Sequence, residues 1–590
     1  MLNFINNISS SLQKTLRQTF TNHNDLFMVL VSLLIGILAG YGNLIFRYLI
    51  EFFQDFFYGA TGEAILSTLQ QAPFYKIILL PAIGGLLVGL ISITFKSAKG
   101  HGVPDVIKAV TTNRTISPFV AIVKSISSSI TIGSGGSVGR EGPIVQIGAA
   151  IGSGVGKILN LPREKMKSVI ACGASGGLAA TFNAPIGGAM FAAEVILGGF
   201  GIKTFTPIIV SSVIATVISR AYLGNNVTFE APTYLLVSPL ELVFYIILGL
   251  LCAIVGVMFI RIFYSVEEKF EALTIPSFIK PALGGLLFGF LALLSRRVMG
   301  VGYETIFDIL NGNISFFILI SLVFMKMIAS ALILGSGGSG GLFVPALFIG
   351  AALGGGCGEI FHYLFPTITA GSGAYGLVAM GAMLAATMRA PLTAILIIFE
   401  ITQSYEIILP LMLATIIANV AANWLEKETI FTWILAKEGI RIKKIDEDVL
   451  NTIKVKDVML TKITTFSKST PFKKIMEDIQ RSAHMYYPVL NENNSLTGML
   501  SLDDIKSILF EEGLQDILIA DEICTKKGLI YISPNDDLSE AIRKMGSKDL
   551  GAIPVVEKHG DELKLKGLVR RSDILLTYNK AVLNTYTGEN

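Results

Sequence analysis

Two ionised residues sit inside a glycine-rich run, Gly133-Ser134-Gly135-Gly136-Ser137-Val138-Gly139-Arg140-Glu141-Gly142-Pro143, ahead of an apolar, helix-like segment from Ile144 to Leu159. Long hydrophobic stretches flank it. At membrane depth Arg140 and Glu141 would be expensive to keep, which makes them functional candidates. Glycine lets the backbone come close to whatever the loop surrounds, and Pro143 stands where a first helical turn begins and its missing N–H has no partner anyway. A helix starting here points its free N–H groups and positive dipole end at the loop, which favours an anion. The alternative is a glycine-rich turn between helices. A second stretch, Lys99-Gly100-His101-Gly102-Val103-Pro104-Asp105, has the same build: glycine, polar residue, glycine, then proline opening a short helix. No hydrolytic constellation accompanies these residues and a lone His101 is not a catalytic site, so an enzyme is not expected.

The elements that must hold such loops are membrane helices. With 590 residues, 52% hydrophobic and 15% charged, and a mean hydropathy of +0.64, the chain reads as a polytopic α-helical membrane protein. A formal charge of +3 gives no basic field for nucleic acid. Cys172, Cys252, Cys357 and Cys524 are too scattered for a metal site or a disulfide framework and read as packing residues. Lys14 and Arg17 precede the first apolar run without a cleavage site after it, which predicts a cytoplasmic segment over 1–25 and a retained first span.

Apolar runs predict helices over Leu26 to Phe57, Ile77 to Phe95, Val120 to Ile132, Phe205 to Ile218, Leu240 to Tyr264 and Ala282 to Leu294. The run from Val169 to Leu197 is interrupted at Asn183-Ala184-Pro185, the mark of helices that stop within the membrane where they line a cavity. The chain then repeats itself. Gly335-Ser336-Gly337-Gly338-Ser339-Gly340-Gly341-Leu342-Phe343-Val344-Pro345 aligns with the first glycine run, residue 335 on residue 133, and Ile-Gly-Ala-Ala recurs at 147–150 and 349–352. Ala179-Ala180-Thr181 with Ala184-Pro185 returns as Ala385-Ala386-Thr387 with Ala390-Pro391, and Glu194 has a counterpart in Glu400. Matches in the same order argue for a duplicated half of roughly 200 residues. The glycine loops of both halves then converge.

After Trp424 the composition changes: a charged stretch, then short apolar clusters between polar turns, as in a soluble α/β unit. This tail also repeats. Tyr487-Pro488-Val489-Leu490 and Ser501-Leu502-Asp503-Asp504 in its first unit match Ile553-Pro554-Val555-Val556 and Arg570-Arg571-Ser572-Asp573 in its second.

On Gly-His-Gly-Val-Pro at 100–104, Gly-Arg-Glu-Gly-Pro at 139–143 and Gly-Leu-Phe-Val-Pro at 341–345, the membrane part resembles the CLC chloride channels and chloride/proton antiporters, and the tail resembles a pair of CBS domains. The resemblance implies a CLC fold of two inverted repeats with broken helices, over 26–437 with halves of roughly 26–222 and 238–437. A linker over 438–454 and tandem cytoplasmic α/β CBS units over 455–510 and 519–578 follow. It further implies a homodimer with separate pores, in the plasma or inner membrane, both termini cytoplasmic, with chloride as the transported ion and no required cofactor.

Carried over by position, Glu141 matches the family's gating glutamate. His101, Gly102, Val103, Gly139, Arg140, Gly142, Gly341, Leu342, Phe343 and Phe431 fall on its anion path, with the amides of Leu342 and Phe343 as the outer donors. Protonation of a seated carboxylate, from a reference near ~4.3, would release it from the donors that would otherwise hold chloride. Three positions depart from the common pattern. His101 stands where a serine hydroxyl often donates to the central anion; it either donates through a ring nitrogen or turns away and leaves backbone donors. Phe431 stands where an inner tyrosine is usual, and either narrows the inner mouth or is a core aromatic. Val195 stands where antiporters commonly place a second, proton-carrying glutamate, while the adjacent Glu194 is expected to satisfy backbone groups. Valine favours a passive, Glu141-gated chloride channel; a proton-coupled antiporter is the alternative. A CBS-regulated cation transporter is a further one, disfavoured because helix N-termini carry the wrong dipole sign for a cation.

In the tail, Ser501 and Asp504 fit the Ser/Thr-x-x-Asp pattern with which CBS units contact an adenine nucleotide, whereas Arg570 with Asp573 fills the second position. Tyr487, Pro488 and Pro554 flank the same cleft. Nucleotide binding and a packing or dimerisation role both remain open readings of this tail.

Overall fold

The computed structural model describes residues 24–61, 64–199, 202–225, 236–439, 447–480, 485–502, 504–505, 517–526, 528–547, 550–560 and 562–578. The leading segment with Lys14 and Arg17, residues 440–446 of the linker, Asp503 and the stretch after Ile505 in the first tail unit lie outside them. The chain divides into two units, Met1–Ile442 and Lys443–Asn590.

The named elements of the first unit's described residues are all helices, joined by loops. Its first half runs α1 (Asn24–Tyr58), α2 (Ala64–Gln71), α3 (Phe74–Thr94), α4 (Val103–Thr111), α5 (Phe119–Gly133), α6 (Glu141–Ile158), α7 (Arg163–Phe182), α8 (Pro185–Phe191) and α9 (Ile202–Leu223). The second runs α10 (Leu242–Ala272), α11 (Lys280–Leu294), α12 (Tyr303–Leu310), α13 (Phe316–Gly335), α14 (Phe343–Leu364), α15 (Ser372–Met388), α16 (Pro391–Thr402), α17 (Ile408–Leu425) and the short α18 (Trp433–Lys437). Among the described residues, seven helices are long and apolar enough to cross a membrane. At 35 residues α1 reaches roughly 50 Å, well over the apolar thickness of a bilayer, so it must tilt or project.

Several bounds differ from the sequence expectation. The helix expected to end at Tyr264 continues through Glu267-Glu268-Lys269 to Ala272, because charged residues at a helix end leave the membrane without breaking the backbone pattern. The helix after the first glycine run starts at Glu141, so Pro143 is its third residue, still within the turn whose N–H groups lack helical partners. The interruption near Asn183 is present: Asn183 ends α7 with a left-handed φ of 59°, and Pro185 opens α8. Its counterpart Arg389 ends α15 with φ 56°.

Both halves are held by the same close crossings. A Cβ on Gly148 would lie 2.1 Å from Gly173 O and one on Gly152 2.0 Å from Val169 O, where α6 crosses α7. In the second half a Cβ on Gly350 would lie 2.5 Å from Ala379 O and one on Gly354 2.2 Å from Tyr375 O, where α14 crosses α15. Small residues every fourth position let membrane helices touch backbone to backbone, where dispersion replaces the missing hydrophobic drive.

Two buried lysines, 202 positions apart like the glycine runs, brace the loops in front of the short helices. Lys124 Nζ donates to the carbonyls of Lys99 (3.0 Å) and Gly100 (2.6 Å). Lys326 Nζ donates to those of Val298 (3.2 Å), Gly300 (3.2 Å) and Val301 (3.4 Å) and lies 4.8 Å from the Phe348 ring centroid. One turn on, Ser128 Oγ lies 2.8 Å from Ser339 Oγ, while Ser330 Oγ donates to Ser137 O at 2.9 Å, so each half plugs a serine into the other's glycine run. Lys326→Met keeps the apolar stem but leaves these carbonyls without their donor. It is expected to destabilise the protein by about 3 kcal/mol, read as a lowered Tm of detergent-purified protein; an unchanged Tm would mean the loop is held without the ammonium.

The second unit contains β1 (Phe466–Ser467) parallel to β2 (Tyr486–Leu490), which pairs antiparallel with β3 (Leu496–Ser501), and a separate hairpin of β4 (Ala552–His559) and β5 (Glu562–Arg570). The two tail cores exchange their leading segments. Leu450 and Val455 pack with Ile553, Val555 and Val569 of the second repeat, whereas Ala520 and Cys524 pack with Tyr487, Val489 and Leu500 of the first. Each repeat of the sequence thus completes its neighbour's core. The four cysteines are free and buried.

Candidate functional site

The glycine runs of the two halves meet as a two-bond backbone bridge: Gly139 N–H donates to Gly341 O at 2.8 Å, and Gly341 N–H to Gly139 O at 2.7 Å. Gly139 and Gly341, both placed on the anion path in the sequence, thus spend their amides on each other. Backbone groups buried this deeply must be paired, and these two pair with each other. Val103 N–H is likewise taken, by His101 O at 3.0 Å, with Gly102 at φ 79° turning the chain into α4. By contrast the N–H groups of Gly142, Leu342 and Phe343, at the starts of α6 and α14, meet no backbone acceptor among the described residues.

Val103, Glu141, Gly142, Leu342, Phe343 and Phe431, all singled out in the sequence, line one cavity of about 10 Å³, roughly the room one water-sized sphere needs. Val145, Leu178 and Phe191 complete it. Phe343 is fixed by Phe182 and Phe191, with ring centroids 5.2 and 6.4 Å away.

Glu141 is 1% exposed and begins α6. Its Oε1 accepts a hydrogen bond from the Tyr303 hydroxyl at 2.9 Å. Its Oε2 lies over Gly139, where a Cβ would come within 2.2 Å of it. The neighbouring Arg140 turns elsewhere: Nη2 donates to Thr181 O at 3.4 Å, and the guanidinium lies 5.3 Å from the Tyr303 ring centroid.

A vestibule of about 380 Å³ lies on this side, lined by Arg47, Glu51, Arg140, Tyr303 and Glu304 among others. A second, of about 420 Å³, is lined by Lys99, His101, Asp105, Glu267 and Glu438 among others. Helix α3 connects the two: Leu69 before it lines the first and Lys96 after it lines the second. His101 is 5% exposed and faces the second vestibule, its ring centroid 5.7 Å from Phe263 and 6.0 Å from Phe431; its Nδ1 has no hydrogen-bond partner among the described residues. Phe431 thus neighbours His101 and lines the small cavity, buried on a loop whose preceding carbonyl, Ile430 O, accepts from Tyr264 Oη (2.7 Å).

Val195 is half-buried in a π-turn, Ala192–Ile196, and is not among the residues lining these three spaces. Glu194 accepts from Thr393 N–H (2.8 Å), the Thr393 hydroxyl (2.7 Å) and Leu392 N–H (3.4 Å), capping α16. Glu400 returns the arrangement, accepting from Ile186 N–H (2.9 Å) and Gly187 N–H (2.6 Å) at the start of α8.

Tyr303 is the contact the sequence reading missed. It opens α12 after Gly302, as Val103 opens α4 after Gly102, and that parallel was the available signal. In the tail, Tyr487 and Pro488 lie on β2, Pro554 on β4, and the remaining candidates pair among themselves. Ser501 N–H and Oγ donate to Asp504 Oδ2 (2.8 and 2.7 Å), and Arg570 holds Asp573 through two bonds of 2.7 and 2.8 Å.

Two pseudo-symmetric halves with broken helices whose N-termini meet at mid-unit define a class, the multi-pass anion transporters. The family model for voltage gated chloride channels matches residues 84–423, and that for the CBS domain matches 455–511 and 520–579. The chain belongs to the voltage gated chloride channel (CLC) family and carries two CBS domains. A putative ClcB-like chloride channel protein of Ralstonia nicotianae is 34% identical over 416 residues, 70% of this chain and 97% of that protein. Chloride channel protein CLC-f of Arabidopsis thaliana is 29% identical and covers 93% of this chain and 80% of its own. Among solved structures, a slow cyanobacterial Cl⁻/H⁺ antiporter matches with a TM-score of 0.64 at 26% identity, over 70% of this chain and 97% of that one. A eukaryotic CLC transporter shares the fold with a TM-score of 0.58 at 20% identity, over 93% of this chain and 98% of that one.

Proposed function

We propose that this protein is a chloride channel whose passive conduction is gated by Glu141. The observation that carries the reading is the place of the carboxylate: Glu141 lines the 10 Å³ cavity, and its partner Tyr303 lines the Arg140 vestibule. The cavity behind it is edged by amides of both halves, from Gly142, Leu342 and Phe343, that meet no backbone acceptor among the described residues. A carboxylate held at such donors occupies the place of the anion it excludes, and neutralising or withdrawing it opens the way. The Arg140 vestibule is the outer mouth in this reading and the His101 vestibule the inner, with both termini cytoplasmic. Each chain contributes all three loops of its own path, which fits a homodimer with two separate pores. An adenine nucleotide at Ser501 and Asp504 would have to compete with the bonds these two make to each other.

Proton-coupled exchange is the second reading, favoured by the likeness to the cyanobacterial antiporter. Against it stand Val195, which carries no proton, and Glu194, already engaged by three donors. The deciding experiment loads liposomes with chloride and records efflux and internal pH together, with valinomycin and potassium balancing charge. Chloride loss with a steady internal pH is expected; protons driven inward against their gradient would make the protein an antiporter.

A further inference from the structure

We infer that Tyr303 is a latch on the Glu141 gate and sets how much acid is needed to release it. The inference rests on the reading of Glu141 as the gate. Its geometry is direct, with the phenol hydroxyl donating to Glu141 Oε1 at 2.9 Å from the first residue of α12. The phenol is presented by a braced loop. Gly300 N–H donates to Gly135 O at 2.9 Å, and Lys326 ties down the carbonyls of Val298, Gly300 and Val301. A Cβ on Gly302 would meet the Phe348 ring at 2.9 Å, so the loop lies tight against α14. The Arg140 guanidinium lies over the Tyr303 ring.

A hydroxyl aimed at one carboxylate oxygen stabilises the ionised, seated form more than the neutral one, because a charge-assisted bond is about twice as strong as a neutral one. The charged and titratable groups facing Glu141 are Arg140 and Tyr303; Glu51 acts on Arg140, and Glu304 follows Tyr303 in the vestibule wall. Removing the hydroxyl leaves the charges of Arg140, Glu51 and Glu304 in place and takes away the donor to Glu141 together with the hydroxyl's own interaction with Arg140. The latch is one-sided. The residue that opens α4, Val103, has no hydroxyl, so the Tyr303 latch has no counterpart at the matching position of the first half.

The test measures chloride efflux from liposomes as the pH on both sides is stepped from alkaline to acid. In Tyr303→Phe the half-maximal flux should come at a proton concentration about tenfold lower than in the unaltered protein. Tyr303→Met, which lacks the hydroxyl but has another shape, should shift equally, and neither change should move the pH response of Glu141→Gln. A midpoint unmoved in Tyr303→Phe, while Glu141→Gln is flat, overturns the latch and leaves the gate standing. Unequal shifts in the two tyrosine variants would also overturn it, since packing would then be the cause. If Glu141→Gln itself keeps the original pH response, the gate reading fails first.

Discussion

Glu141→Gln is expected to raise chloride efflux at neutral pH about tenfold and to leave it flat across pH. The amide keeps the size and the hydrogen-bonding reach of the side chain but has no negative charge to be held by the helix N-terminus. The seat loses the attraction of the α6 and α14 dipole ends, an interaction of about 1 to 2 kcal/mol in buried geometry, which is the source of the tenfold figure. A fluorescent chloride indicator inside liposomes would give both quantities. Efflux that stays steeply pH-dependent would remove the gate from Glu141 and turn attention to His101, whose buried Nδ1 has no partner among the described residues.

Gly142→Ala should cut transport sharply, chiefly through geometry. A methyl group there would lie 2.3 Å from His101 O and 3.1 Å from Gly341 Cα, so it would push apart backbone from three loops and both halves. None of these atoms is the end of a flexible side chain. The loops are pinned by the Gly139–Gly341 bridge and by Lys124 at Gly100 O, so the strain falls on the cavity itself. Overpacking of this kind costs about 1 to 3 kcal/mol, and displacement of the Gly142 amide removes a proposed anion donor as well. Efflux should fall by at least about tenfold, with a modest fall in Tm. Gly199→Ala is the control, because no atom of the described residues lies within 4 Å of a Cβ there. Comparable loss in both variants, or none at Gly142, would mean that the three loops do not form the narrow part of the path.

Much of this architecture is legible in residue order because membrane folding puts glycine and proline where helices must stop or touch. The two glycine runs, the Asn183-Ala184-Pro185 break and its echo at Ala390-Pro391 are such places. Helices without punctuation are harder to read: α13 is apolar over most of its length apart from Ser321, Lys326 and Ser330, so no periodicity marks its ends, and α15 is buried along nearly its whole length. The Tyr303–Glu141 bond joins residues 162 positions apart and depends on the bracing of one loop by Lys326. No local pattern carries that kind of contact. The pairing of Gly139 with Gly341 was hidden for a different reason, since a glycine amide looks the same in sequence whether it serves an ion or another strand of backbone.

The exchange of carboxylates between the halves bears on how the chain is made. The amides at the start of α8 are satisfied by Glu400, which is synthesised 214 residues after Ile186. At ordinary translation speed that interval is roughly 10 to 40 s. Through it, the first half waits in the membrane with exposed amides at a broken helix, and its own Glu194 has nothing yet to receive. Maturation therefore cannot proceed half by half. The reciprocal contacts of both halves can close only when α16 arrives.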